Sequence, residues 1–162
     1  CAQKREARDV YIPSVLAILV VLPILSICID LFLHPDVPLI LLVGRWFVFW
    51  GMGVRLFMAA LKQTMQPEFT AKQIFHMNSN EALPVIRELG MANLSAGCIG
   101  LASIIAPSFV LPIAIYGVIF YGAAGFGHIA QRDRSLNENV ALWTDLFIAA
   151  VLLLFVILSL VN

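Results

Sequence analysis

The sequence predicts an all-α integral membrane protein, a bundle of five transmembrane helices with a short interfacial helix, in which residues 1–162 form one membrane domain. Composition is the first observation, because 61% of the 162 residues are apolar and 12% are charged, against about half and about a quarter in soluble domains. Long apolar runs are the second, since about 20 such residues cross the hydrocarbon core. This composition excludes a soluble enzyme and a disordered chain, and zero net charge argues against nucleic-acid binding.

The first two predicted spans form a hairpin. The first span covers residues 10–33, and residues 10–29 carry no charge. No small-residue cleavage site follows this run, so we do not interpret it as a signal peptide. Two prolines within residues 34–38 predict a tight turn. The second span covers residues 39–62, is rich in aromatic side chains and ends before Gln66 and Pro67.

A short amphipathic helix is expected at the membrane interface over residues 71–77. Thr70 and Gln73 have the spacing of a capping box, in which the threonine caps the helix and the glutamine reaches back to it. Polar residues 78–80 are expected to end this helix.

Three further spans are predicted, over residues 81–106, 109–130 and 136–161. Residues 89–131 carry no formal charge, and this length holds two spans, which Pro107 and Ser108 divide. Ser135 and Glu138 have the spacing of a second capping box, which opens the last span.

The distribution of basic residues predicts the orientation. Lysine and arginine occur before the first span, after the second and after the fourth, at Lys4, Arg5, Arg8, Lys62, Lys72, Arg87, Arg132 and Arg134. Because cytoplasmic connections carry the excess of basic residues, we expect a cytoplasmic N-terminus and an external C-terminus. A lipidated Cys1 would lie outside and contradict this pattern, so Cys1 is expected to be an incidental start.

Ionisable residues within the spans are the candidates for function, since they are expensive in lipid and usually face the bundle interior. At 1.5 Å per residue, Arg55, Glu88 and Asp145 lie about 10, 8 and 13 Å inside their spans. With His128 they come from four helices and share the cytoplasmic half. We define the inner polar cluster as these four residues with two hydrogen-bonding neighbours: Arg55, Glu88, Asn93, Tyr121, His128 and Asp145.

Two interpretations of the inner polar cluster remain open. In the structural one, Arg55 is neutralised by Asp145 or Glu88, because a buried charge needs a partner, and Asn93 and Tyr121 complete the hydrogen bonds. In the functional one, the cluster lines a cavity that is open to the cytoplasm and binds a polar headgroup, a quinone or a proton. We find no residue pattern for catalysis or for a metal site, and His128 is expected to be a hydrogen-bond partner.

Small and polar residues form stripes on two spans. One stripe on the third span consists of Gly90, Asn93, Gly97 and Gly100, and one on the fourth consists of Gly117, Tyr121, Ala124 and His128. Small stripes let helices approach closely, so both are expected to face neighbouring helices. Outside the cluster, Arg45 is expected to pair with Asp30 or Asp36, and Cys28 and Cys98 are expected to be buried thiols.

Several segments resemble the DUF6790-type family of uncharacterised bacterial membrane proteins. They are residues 44–51 (GRWFVFWG), Arg55, 66–71 (QPEFTA), 87–94 (RELGMANL), 125–128 (GFGH), 137–139 (NEN) and Asp145. The resemblance covers about residues 40–160, implies a location in a bacterial inner membrane and implies no activity. More distantly, spans two to five resemble the DoxX-type four-helix membrane fold, to which the first span would be an addition. Some members of that group are subunits of quinone-linked redox systems.

Three functions follow as hypotheses. The first is a non-enzymatic accessory or scaffold subunit of a larger membrane complex, with lipid and partner subunits or further copies of the chain around it. The second is a DoxX-like redox component that binds a quinone or a lipid at the inner polar cluster. The third is a small proton-coupled transporter, a class that normally has broken helices or inverted repeats.

Overall fold

A computed structural model describes residues 12–73, 80–129, 134 and 136–161, and the regular elements of these residues are helical. The α-helices in chain order are α1 (Ile12–Leu33), α2 (Leu39–Met65), α3 (Pro67–Gln73), α4 (Leu83–Ala102), α5 (Val110–Ile129) and α6 (Leu136–Val161). Short 3₁₀ turns at Asn80–Ala82 and Pro107–Phe109 precede α4 and α5.

Four of these helical segments are long and apolar enough to cross a membrane: Ile12–Leu33, Leu39–Met65, Pro107–Ile129 and Glu138–Val161. Their length and composition indicate a membrane protein and support four of the five predicted spans. The helix α4 has 20 residues, but Arg87, Glu88, Asn93 and its glycines make it less apolar. The span over residues 81–106 therefore stays a prediction.

The start of the interfacial helix was predicted wrongly. The helix α3 begins at Pro67, and Thr70 is a buried residue within it, so Thr70 does not cap it. Proline suits the first position of a helix, because its fixed φ is already helical and its missing N–H leaves no donor unsatisfied. The predicted end at residue 77, the first residues of span one and the capping residue Ser135 lie outside the described residues.

The long helix α2 is the centre of the bundle and contacts α1, α4, α5 and α6, while α5 and α6 pack along each other. Apolar side chains from α1, α2, α5 and α6 fill the space between these helices. The buried core includes Leu19, Leu42, Val48, Met52, Ala114, Ile148 and Leu152. Each of the other long helices therefore contacts α2.

Two helices contain a turn of π-helix, at Ala17–Val21 in α1 and Val48–Val54 in α2, and these turns contact each other. A π-turn uses hydrogen bonds between residues five apart and widens the helix locally. The hydrogen-bond register of α2 therefore changes in the middle of the helix, immediately before Arg55.

The helix α4 runs antiparallel to the second half of α2 and packs on it through glycines. A Cβ atom added to Gly97 would lie 2.7 Å from the backbone nitrogen of Phe57. Gly90 faces Thr64 and Gly100 faces the backbone of Gly53 in the same way. Together with Asn93, these glycines are buried, which confirms that the stripe on this helix faces a neighbour.

Candidate functional site

An ion pair between Arg55 and Asp145 joins α2 to α6. The Arg55 Nη2 atom lies 3.2 Å from the Asp145 Oδ1 atom, and the two side chains are 19% and 6% exposed. Of the two partners considered for Arg55 from the sequence, the structure places Asp145 beside it. Each charge compensates the other, which a pair shielded from water requires.

Tyr121 on α5 completes this junction of three helices. Its buried ring lies 5.8 Å from the guanidinium carbon of Arg55, a distance at which a cation is attracted to an aromatic face. Its hydroxyl group donates a hydrogen bond of 2.5 Å to the carbonyl oxygen of Gly51.

The π-turn in α2 makes the Gly51 carbonyl available to Tyr121. The backbone N–H of Arg55 donates to Trp50, five residues back, whereas in an α-helix it would donate to Gly51. The carbonyl of Gly51 accepts the Tyr121 hydroxyl instead. Gly51 was not predicted to be part of the site, and the signal for it in the sequence is the pair of small residues Gly51 and Gly53.

His128 lies at the edge of this junction, near the end of α5. It is half-buried and follows Tyr121 by seven residues, two helical turns, on the same face of α5. Arg134 donates from Nη1 to the backbone carbonyl of His128 at 2.9 Å and so holds the C-terminal turn of α5. The residues that the structure brings together are therefore Arg55, Tyr121 and Asp145, with His128 beside them.

The other two predicted members lie elsewhere. Asn93 is buried between α4 and α2, where its amide nitrogen donates to the Gln63 Oε1 atom at 2.8 Å. Its Oδ1 atom has no hydrogen-bond partner among the described residues. Glu88 is exposed on the outer side of α4. The inner polar cluster is thus divided between a three-helix junction, the α2–α4 interface and the surface.

A second polar group joins the last turn of α1 to the first half of α2. The buried carboxylate of Asp30 accepts hydrogen bonds from Trp46 Nε1 at 2.8 Å and Arg45 Nη1 at 3.3 Å. His34 Nδ1 lies 2.7 Å from the same carboxylate. Of the two carboxylates considered for Arg45, the structure places Asp30 beside it, and Asp36 is exposed in the turn. The contacts of Trp46 and His34 with Asp30 were not predicted. The spacing of Asp30 and His34, one helical turn apart, was a signal for the second of these contacts.

The two cysteines in the apolar runs were predicted to be buried, and the structure differs from this prediction. Cys28 and Cys98 are both exposed on the surface of their helices, so the expectation of buried thiols was wrong. In a membrane-spanning helix an apolar run has apolar residues on all sides, because the outer side faces lipid. Position in such a run therefore does not predict burial within the protein.

Comparison with known proteins gives one match. The description "Family of unknown function (DUF6790)" applies to residues 13–161, which extends the resemblance to include most of α1. No curated protein and no solved structure matches the chain. Because the match covers more than half of the sequence, the chain belongs to this family of unknown function.

Proposed function

We propose that the protein is a non-enzymatic accessory or scaffold subunit of a larger complex in a bacterial inner membrane. The observation that carries this proposal is the outward face of α4, which we define as Glu88, Met91, Ala92 and Ser95. These residues are exposed and lie one helical turn apart. Glu88 forms no hydrogen bond or ion pair with the described residues.

This face suits another protein helix better than lipid. Glu88 follows Arg87 near the start of α4, so its carboxylate lies at the rim of this face, where a partner can donate a hydrogen bond to it. Small side chains such as Ala92 and Ser95 allow a second helix to approach closely. A partner subunit could supply a hydrogen-bond donor to Glu88 and cover the small residues beside it.

The proposal treats α4 as a membrane span, the third of five in chain order. Its 20 residues extend about 30 Å, the thickness of the hydrocarbon core. Its glycines contact α2 from Gly53 to Thr64, so α4 lies at the same depth as that part of α2. With five spans the two termini would lie on opposite sides of the membrane, and the basic connections favour a cytoplasmic N-terminus and an external C-terminus.

The pairing of charges inside the bundle supports a structural role for them. Arg55 is paired with Asp145, and Asp30 accepts hydrogen bonds from Arg45 and Trp46. Neither of the two best-formed surface concavities among the described residues is lined by Arg55 or Asp145. This arrangement favours the neutralised pair over a ligand-binding cavity.

The test is site-specific photo-crosslinking in native membranes. A benzophenone amino acid replaces Met91 on α4, and the control carries it at Leu25 on α1, since these side chains are 57% and 51% exposed. We expect the probe at residue 91 to form a discrete adduct with a different protein, and the probe at residue 25 to form no such adduct.

Two outcomes would contradict the proposal. One is the absence of a protein adduct at residue 91 when the variant is expressed and inserted normally. The other is an adduct whose mass equals two copies of the chain, which would indicate a homo-oligomer and not an accessory subunit.

The alternative function is a DoxX-like redox component that binds a quinone or a lipid. The position of His128 on the same face of α5 as Tyr121, whose ring lies beside Arg55, favours it, since ionisable groups at membrane depth mark ligand and proton sites. Organic extraction of the purified protein tests this alternative. A stoichiometric quinone that is lost from Asp145→Asn, while that variant stays folded, would replace the accessory-subunit proposal.

A further inference from the structure

A groove of about 400 Å³ lies where α2 ends, at the opposite end of that helix from the contact with Asp30, and neither Arg55 nor Asp145 lines it. It is formed by the turn between α2 and α3 and by the first part of α4. Its lining residues among those described are Met65, Gln66, Pro67, Glu68, Phe69 and Arg87.

The groove contains an available positive charge. Arg87 is exposed and forms no hydrogen bond or ion pair with the residues that the structure describes. The Lys62 Nζ atom lies 5.3 Å from the centre of the Phe69 ring, which forms part of the lining. The acidic residue of the lining, Glu68, has Lys72 4.0 Å from its carboxylate. Lys72 therefore offsets the charge of Glu68, and Arg87 and Lys62 remain as the cations nearest to the groove.

Apolar side chains border the groove on the side of α2. Met65 is 77% exposed and Leu61, one turn earlier, is 41% exposed. An arginine beside a polar groove, with exposed apolar side chains next to it, has the chemistry to hold a phosphate group that is attached to an acyl chain. Basic pockets of this kind on the cytoplasmic side of membrane proteins bind anionic headgroups.

We propose that this groove binds the phosphate of an anionic phospholipid in the adjoining leaflet, with Arg87 as the principal ligand and Lys62 as a second cation. Free inorganic phosphate has the same binding chemistry, but it would leave Met65 and Leu61 uncovered. The lipid is therefore the occupant that accounts for both the charge and the apolar border. The proposal does not depend on whether the protein is an accessory subunit.

The test is native mass spectrometry of the purified full chain with phosphatidylglycerol or phosphatidylcholine added at equal concentration. We expect preferential binding of phosphatidylglycerol, and a loss of about fivefold in its affinity for Arg87→Gln, the effect of one basic residue near a membrane surface. Arg87→Lys should retain most of the affinity. Glu68→Gln should increase the affinity, because it removes a negative charge from the lining.

The matched control is Arg45→Gln, which removes the same charge from the opposite end of α2. Equal losses for Arg45→Gln and Arg87→Gln would overturn the proposal, since they would indicate attraction to the total charge alone. Equal binding of the two lipids would also overturn it. Inorganic phosphate at millimolar concentration should not displace the lipid, and displacement would assign the groove to the free anion. Thermal melting of each variant separates loss of binding from loss of folding.

Discussion

The two sides of α2 are held by different kinds of contact. On one side, α4 approaches so closely that Gly97 and Gly100 lie against the backbone of α2. On the other side, α5 and α6 meet α2 through long polar side chains, with Asp145 bonded to Arg55 and Tyr121 bonded to the Gly51 carbonyl. The first contact depends on shape and the second on matched polar groups.

The difference follows from the properties of lipid as a solvent. Apolar side chains gain little by leaving lipid for a protein interior, so helix association in a membrane depends on close van der Waals packing and on polar contacts. The α2–α4 interface uses mainly the first, and the α2–α5–α6 junction adds the second. The two sides should therefore respond differently to substitution, and four substitutions test this.

The largest effect is expected for Asp145→Leu. This substitution leaves the Arg55 guanidinium in the bundle without its carboxylate, and breaking a buried pair costs about 3–5 kcal/mol. The free energy of unfolding in detergent micelles measures the loss. Asp36→Asn, in the exposed turn between α1 and α2, is the control and should change little.

The double variant Arg55→Met/Asp145→Leu sharpens this test. Replacing both members of a buried pair by apolar residues is often neutral or stabilising, so we expect the double variant to be more stable than Asp145→Leu alone. If the double variant were as unstable as the single one, the pair would not be the main polar contact of this junction.

The second effect is expected for Gly97→Ala on the other side of α2. The added methyl group would lie 2.7 Å from the Phe57 backbone nitrogen, and backbone cannot move aside as a side chain can. Overpacking costs about 1–3 kcal/mol, measured as the same free energy of unfolding. Gly127→Ala on α5 is the matched control, because nothing lies within 4 Å of the added atom. Equal stability of the two variants would mean that α4 is not closely packed on α2.

Much of this arrangement could be predicted from the sequence. Apolar runs located the helices that are long enough to cross a membrane, because each runs without interruption between polar turns. The stripe of Gly90, Gly97 and Gly100 correctly indicated a close helix contact. For Arg55, the depth and face of each carboxylate left two partners open, and the structure places Asp145 beside it.

The assignment of neighbouring helices could not be predicted from the sequence. Glu88 and Asn93 were grouped with Arg55 because their depths agree, but depth does not determine which helices touch. Since α4 packs mainly against α2, Asn93 meets Gln63 in that interface and Glu88 faces outward. The π-turn at Val48–Val54 was also not predicted, because the apolar pattern of a lipid-facing helix is the same with or without one extra residue in a turn.

The third effect is expected for Tyr121→Phe. The substitution removes the hydroxyl donor to the Gly51 carbonyl, while the ring beside Arg55 remains. The net contribution of one hydrogen bond is about 0.5–1.5 kcal/mol, and we expect a loss of this size in the free energy of unfolding. Tyr116→Phe is the control, since Tyr116 is 38% exposed. Equal losses for the two tyrosines would show that the bond to Gly51 contributes nothing measurable.

The smallest effect is expected for Arg45→Gln, which removes the ion pair between Arg45 and Asp30. The Arg45 side chain is 42% exposed, against 19% for Arg55, and exposed pairs contribute about 0–1 kcal/mol. Asp30 also keeps Trp46 and His34 as partners, so its carboxylate retains hydrogen bonds after the substitution. Unfolding measurements on Arg45→Gln and Arg55→Gln compare the two pairs directly. A loss for Arg45→Gln as large as that for Arg55→Gln would mean that side-chain exposure does not determine how much each pair contributes to stability. The polar group around Asp30 would then stabilise the α1–α2 hairpin as strongly as the three-helix junction stabilises the bundle.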